Sequence, residues 1–212
     1  MTLAKICGLS TPEAVNAALE GGAAFLGFMF FAASPRDVAP ELAARLAAPA
    51  RGKAKVVAVM VDPDNVLLER IDRILQPDLI QLHGRETPAR VAEIGRAVTS
   101  GLIKVAPVAG AADLDQAMGY ESLVDHLLFE TKPGSDATRP GGLGVSFDWR
   151  LMAGRRYQRP WFLAGGLNPW NLTEAVSVSG APMVDVSSGV ERGPGLKDPA
   201  LIAAFLETAR RL

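Results

Sequence analysis

Two turns rich in glycine and serine lie near the end of the chain: Leu163-Ala164-Gly165-Gly166-Leu167 and Val184-Asp185-Val186-Ser187-Ser188-Gly189-Val190. Each follows a short apolar run, and small residues at such turns let backbone N–H groups approach an anion closely. One such pair would only close a tight turn; the two together have the composition of a phosphate cradle, with Gly165, Gly166, Ser187, Ser188 and Gly189 as its walls and Asp185 beside it. The chain has one cysteine, Cys7, at the end of its first apolar run. It is either a small buried hydrophobe or a thiolate base, and the second role needs an electropositive or helix-terminal setting. Arg36 follows Ser34-Pro35 in a loop and is either a solvated cation or a bidentate clamp on a carboxylate or phosphate. Asp62, His83 and Glu130 end further apolar runs. With His83 and His126 as the two histidines and a single cysteine, no zinc-ligand spacing exists, so no metal is expected.

These residues need a scaffold that brings strand ends together. Eight short apolar runs qualify as strands: Leu3 to Cys7, Phe25 to Phe30, Lys55 to Val61, Asp78 to His83, Leu102 to Val108, His126 to Glu130, Trp161 to Leu163 and Met183 to Ser187. They start about every 26 residues, room for a strand, a helix and two short loops. Val56 to Val61 is continuously apolar, as expected of a parallel strand covered on both faces. Helices are expected after Ser10-Thr11-Pro12, Asp62-Pro63, Thr87-Pro88, Asn168-Pro169 and Asp198-Pro199, each a capping residue followed by a first-turn proline. An open doubly wound sheet would usually carry a G-x-G-x-x-G turn after its first strand, but Cys7-Gly8-Leu9-Ser10 lacks that spacing. The expectation is an α/β fold, a single (β/α)8 TIM barrel over residues 1–212 with trimmed helices and loops, and functional groups at the carboxyl ends of its strands. The segment Thr131 to Phe147, rich in glycine and proline, is long enough to serve as a lid after the sixth strand.

Composition removes several function classes. Lys+Arg 22 against Asp+Glu 23, with the basic residues scattered, provides no footprint for nucleic acid. The longest apolar run, Gly21 to Ala33, is too short for a membrane span and the first residues lack the apolar core of a signal peptide, so neither a membrane nor a nucleic-acid partner is expected. One cysteine permits no internal disulfide, which fits a reducing cytoplasm.

The motifs in order along the chain resemble those of the phosphoribosylanthranilate isomerase family. They are Lys5-Ile6-Cys7-Gly8-Leu9, Gly27-Phe28-Met29-Phe30-Phe31 running into Ser34-Pro35-Arg36, Gln81-Leu82-His83-Gly84, Gly141-Gly142-Leu143-Gly144 with Phe147-Asp148-Trp149, the two anion turns, and Glu191 followed by Pro194-Gly195-Leu196-Lys197-Asp198. The resemblance implies an Amadori rearrangement in tryptophan biosynthesis on a (β/α)8 barrel without cofactor, by a monomer or homodimer acting on a small phosphoribosyl substrate. It implies Cys7 as the base, Glu130 as the acid and Arg36 on the anthranilate carboxylate. His83, Gly142 and Asp185 would contact substrate, and the Gly165-Gly166 and Ser187-Ser188-Gly189 turns would hold the phosphate. One departure stands out: the family usually has aspartate where this chain has Glu130, so the longer acid must be set back by its backbone to reach the same atom. The anion turns alone would also suit indole-glycerol-phosphate synthase, the histidine-pathway isomerase, or a barrel that binds phosphoribosyl ligands without turnover.

Overall fold

The computed structural model describes residues 1–132 and 146–212. Eight parallel strands close into a barrel: β1 (Leu3–Cys7), β2 (Phe25–Phe30), β3 (Lys55–Met60), β4 (Leu79–Leu82), β5 (Gly101–Val108), β6 (His126–Thr131), β7 (Trp161–Leu163) and β8 (Met183–Val186). The order is sequential, and the ring closes where β8 pairs with β1. All eight expected strands form; Val61, Asp78, His83 and Ser187 fall just outside their ends, while Gly101 and Thr131 lie inside theirs. A hairpin of β9 (Glu191–Gly193) and β10 (Leu196–Lys197) follows the barrel's last strand. Among the described residues the outer layer consists of α1 (Pro12–Glu20), α2 (Pro40–Ala47), α3 (Asn65–Leu75), α4 (Pro88–Ala97), α5 (Ala111–Ala117), α6 (Leu172–Ser179) and α7 (Pro199–Arg210). Between β6 and β7 they show only a short 3-10 turn, Trp149–Met152. Most of the expected lid, including Gly142, lies outside the described residues.

Strand periodicity divides the core into two layers. Along β3, Val57 and Val59 point into the barrel with Ile103, Val105 and Leu128, while Val56, Ala58 and Met60 pack outward against the helices. Both faces of each strand are covered, hence the unbroken apolar run in β3. Burying each such aliphatic side chain contributes roughly 1.5–3 kcal/mol. Phe25, His126 and Phe162 meet edge-to-face at the start of the strands, with ring centroids 5.0 to 6.2 Å apart. They form the barrel's floor.

Three of the five proline signals start helices as expected. Thr11, Thr87 and Asp198 accept N–H bonds from the first turns of α1, α4 and α7, and proline opens each helix. Helices follow the other two prolines as well, but from later starts and other caps. Helix α3 is capped by Asp64, because Asp62 has φ 46° and its carboxylate accepts from Arg85 N instead. Asn168 does not cap α6 either: its Oδ1 folds Pro169 and Trp170 into a turn by accepting from Trp170 N and Asn171 N, and the helix begins at Leu172.

A buried ion pair fixes the rim at β4. Lys104 Nζ lies 2.7 Å from Glu86 Oε2 and donates to the carbonyls of Leu82 and Gly84; Glu86 Oε1 accepts from Asp62 N and Gly84 N. Both side chains are nearly solvent-free, at 4% and 1% exposure, so removing one leaves the other's charge buried and unpaired. Glu86→Ala is expected to cost about 3–5 kcal/mol. In urea unfolding the midpoint should fall with little change in slope, and an unshifted midpoint would show that the pair does not hold this rim.

Candidate active site

The register of β1 against β8 sets Lys5 opposite Asp185, and Lys5 Nζ is 2.9 Å from Asp185 Oδ1 inside the barrel. Burial alone would discharge the ammonium, but Asp185 and Cys7 outweigh it and hold the Lys5 pKa above the ordinary lysine value. Cys7, 5% exposed, is the next inward residue on β1. Its thiol therefore has the electropositive neighbour that a thiolate requires. Burial is nevertheless the largest influence and, with help from Asp185, leaves the thiol above its usual value, although Lys5 and Lys197 pull it down. Gly27 makes room for this group: a Cβ there would stand 3.1 Å from Cys7 Sγ and 3.2 Å from Lys5 Cε.

Across the mouth, Gln81, His83 and Glu130 form a chain. Gln81 Nε2 is 3.2 Å from His83 Nδ1, and His83 Nε2 is 2.8 Å from Glu130 Oε2. When the Gln81 amide donates to Nδ1, the imidazole hydrogen sits on Nε2, which lies close to the carboxylate without making a hydrogen bond to it. Glu130 lines a small cleft with Gly165, Gly166, Asp185, Ser187 and Ser188. Asp185 thus borders this cleft on one side and joins the Lys5–Cys7 group on the other, whereas Cys7 itself sits behind it.

The two anion turns are held against each other. Gly165 and Gly166 have φ of 86° and 65°, and a Cβ on Gly165 would meet Thr131 at 2.5 Å. A Cβ on Gly189 would fall 1.8 Å from the Leu167 carbonyl oxygen, so the turns after β7 and β8 meet only because this residue is glycine. Asn171 Nδ2 donates to Gly166 O at 2.9 Å, and Ser187 Oγ donates to Cys7 O at 3.1 Å. The cradle is therefore tied to the strand that carries the thiol.

Arg36 does not stand alone in its loop. Its guanidinium is buried at the mouth, where Nε and Nη2 engage the carboxylate of Glu191 at 2.7 and 2.8 Å. Lys197 Nζ reaches the same carboxylate at 2.7 Å and donates to Ser187 O at 2.8 Å. Among the sequence-derived candidates the structure gathers Cys7, Arg36, His83, Glu130, Gly165, Gly166, Asp185, Ser187, Ser188 and Gly189 around one end of the barrel, while Gly142 lies outside the described residues. Lys5, Gln81, Glu191 and Lys197 complete the site and were not picked out as candidates. His126 belongs to the floor, with Nδ1 3.2 Å from Pro160 O.

The profile of the family described as N-(5'phosphoribosyl)anthranilate (PRA) isomerase matches residues 4–208. The chain belongs to the phosphoribosylanthranilate isomerase family. The N-(5'-phosphoribosyl)anthranilate isomerase of Caulobacter vibrioides is 59% identical over 209 residues, covering 98% of this chain and 95% of that protein. That of Rhodospirillum centenum is 54% identical over 209 residues, covering 98% of each chain. The crystal structure of phosphoribosyl anthranilate isomerase from Thermotoga maritima superposes with a TM-score of 0.89 at 32% identity over the whole of both chains. A phosphoribosyl anthranilate isomerase solved with reduced 1-(o-carboxyphenylamino)-1-deoxyribulose 5-phosphate gives 0.84 at 31% identity, again over the whole of both chains. Phosphoribosylanthranilate isomerases are thus similar to this chain in sequence and in barrel architecture alike. Among the described residues no group of three or more His, Cys, Asp or Glu could hold a metal ion, and no helix is long and apolar enough to cross a membrane.

Because burial raises the Cys7 thiol, its thiolate form should grow only above the ordinary thiol range, and kcat/KM should climb with pH through that ionisation. Lys5→Gln removes a group that favours the thiolate and should move the ionisation further up. Titrating the ultraviolet absorbance of the thiolate checks both; an ionisation at or below the ordinary value in the unaltered enzyme would contradict the reading.

Proposed function

We infer that residues 1–212 form one catalytic domain that rearranges N-(5-phosphoribosyl)anthranilate to 1-(2-carboxyphenylamino)-1-deoxyribulose 5-phosphate, an isomerisation of tryptophan biosynthesis. Glu130, as general acid, protonates the furanose ring oxygen while the anilino nitrogen pushes the ring open to a protonated Schiff base. Cys7, as thiolate, takes the C2 proton and leaves an enolamine. Tautomerisation then adds a proton at C1 and removes one from the C2 hydroxyl. Atoms and electrons balance within the substrate, so the rearrangement calls for no oxidant, reductant or cofactor.

The remaining groups hold substrate or tune these two. Arg36 receives the anthranilate carboxylate. The turns at Gly165-Gly166 and Ser187-Ser188-Gly189, with Gly142, receive the phosphate, and fixing both anionic ends holds C2 and the ring oxygen against the proton-transfer groups. His83 orients Glu130, and Asp185 contacts the ribose while balancing Lys5. The observation that carries this reading is the position of Asp185, bonded to the ammonium beside the thiol and bordering the same cleft as Glu130 and the phosphate turns. With glutamate in place of aspartate, the longer side chain brings its carboxylate to 2.8 Å from His83 Nε2. The cytoplasm is the compartment proposed for this activity, and a monomer or a homodimer its working form. The Thermotoga maritima relative is described as dimeric, with monomers generated from it.

Cys7→Ala is expected to lower kcat by roughly 10²–10⁴-fold, the usual contribution of a positioned acid or base. Glu130→Gln should do comparable damage and Glu130→Asp should keep most activity, measured as turnover of freshly generated phosphoribosylanthranilate. The unaltered gene should restore growth without tryptophan to an auxotroph lacking this isomerase, and the Cys7→Ala gene should not. Near-normal kcat in Cys7→Ala would remove the thiolate from the mechanism.

A further inference from the structure

The hairpin after the barrel's last strand holds two of the most completely buried charges among the described residues. Glu191 and Lys197 expose only 3% and 1% of their side chains, and Arg36, which joins them, exposes 5%. Burial pushes the Glu191 carboxyl up, but Arg36 and Lys197 together outweigh it and hold it below the usual carboxylate range. Arg36 and Lys197, the latter's ammonium pushed below its ordinary value by burial, set two basic groups around one anion, and that surplus favours the arrival of another anion.

The hydrogen bonds show where that anion would bind. A guanidinium has five N–H donors arranged along two bidentate edges. Glu191 occupies the edge formed by Nε and Nη2. Among the described residues nothing engages Nη1, so the second edge is left whole. The loop is packed closely on both sides. A Cβ on Gly8 would stand 2.5 Å from Arg36 Cδ, and one on Gly195, at the tip of the hairpin, would stand 2.5 Å from Pro35 O. Gly195 N also donates to Glu191 Oε2 at 3.2 Å. From the same hairpin Lys197 Nζ donates to both the carbonyl and the hydroxyl of Ser187, whose hydroxyl in turn donates to Cys7 O.

We propose that Glu191, seated by Lys197, is a positioning residue that fixes Arg36 with its Nη1/Nη2 edge toward the substrate's carboxylate, and that the hairpin joins this carboxylate grip to the phosphate turn as one rigid caliper. The proposal rests on the assignment of Arg36 to the anthranilate carboxylate. It makes the hairpin a gauge of substrate length: the distance between the two anionic ends is set by a single set of buried bonds rather than by two independent loops.

Two ligands test it: the reduced product analogue 1-(o-carboxyphenylamino)-1-deoxyribulose 5-phosphate and its counterpart without the ring carboxylate, each measured as a competitive inhibitor and by direct binding. Glu191→Gln keeps the shape of the side chain and loses its charge. It should weaken the carboxylate-bearing ligand by about ten-fold or more and the other by no more than about two-fold, with KM rising and kcat little changed. Arg36→Met should show the same selectivity, and adding Glu191→Gln to it should cost nothing further. Glu191→Asp should recover part of the loss. Affinity for the ligand without the carboxylate reports folding in every variant. If Arg36→Met is selective and Glu191→Gln weakens both ligands alike, or neither, the positioning role is wrong while the carboxylate assignment stands. If Arg36→Met itself fails to distinguish the ligands, the assignment of Arg36 falls and this proposal with it.

Discussion

The site depends on the seam where the barrel closes. β8 pairs with β1 so that Lys5 meets Asp185 across the last gap in the ring, deep enough that the ammonium is fully shielded from water. Such a pair gains little net stability, because desolvating two charges offsets most of their attraction. Its value is positional. A register slip of one residue would turn every inward side chain on β1 outward, moving Lys5 and Cys7 away from Asp185 at once. The bond that marks correct closure is also the one that gives the thiol its charged neighbour, so closing the ring in register sets Lys5 beside Cys7.

The thiol of Cys7 and the carboxyl of Glu130 each have polar partners close by. The thiol has Lys5 and Asp185; the carboxyl has His83, itself oriented by Gln81. Lys5 lies two residues from Cys7 on β1, and Gln81 two residues from His83, as the two-residue period of a strand requires, while His83 reaches Glu130 from the end of β4 across β5. Strand geometry thus supplies part of the layer around these two groups, and the turns after β7 and β8 supply the rest of the cleft.

Much of this was legible in the residues. The eight apolar runs all became strands, and the polar residues read at their ends, Cys7, His83, Glu130 and both anion turns, gather at one end of the barrel, where a parallel barrel places its functional groups. What escaped notice has physical causes. Lys5 and Gln81 interrupt apolar runs and read as ordinary polar positions until the strands face one another. Glu191 and Lys197 gain meaning only by meeting Arg36, 155 residues from Glu191, a contact that no local pattern encodes. Asp62 and Asn168 carried strong capping signals, but the carboxylate of Asp62 found its partner in the next loop, at Arg85, and the amide of Asn168 folded its own loop into a turn. Glu130 was visible as a departure from the family's aspartate, while the imidazole that accommodates it came from a different strand.

The aromatic floor has a consequence for traffic. Phe25, His126 and Phe162 interlock their ring edges at the end of the barrel opposite the thiol and carboxyl groups. The cylinder is therefore a cup, not a tube: ligand, solvent and protons all enter and leave by one doorway, and a product still resting in it bars the next molecule from the chamber.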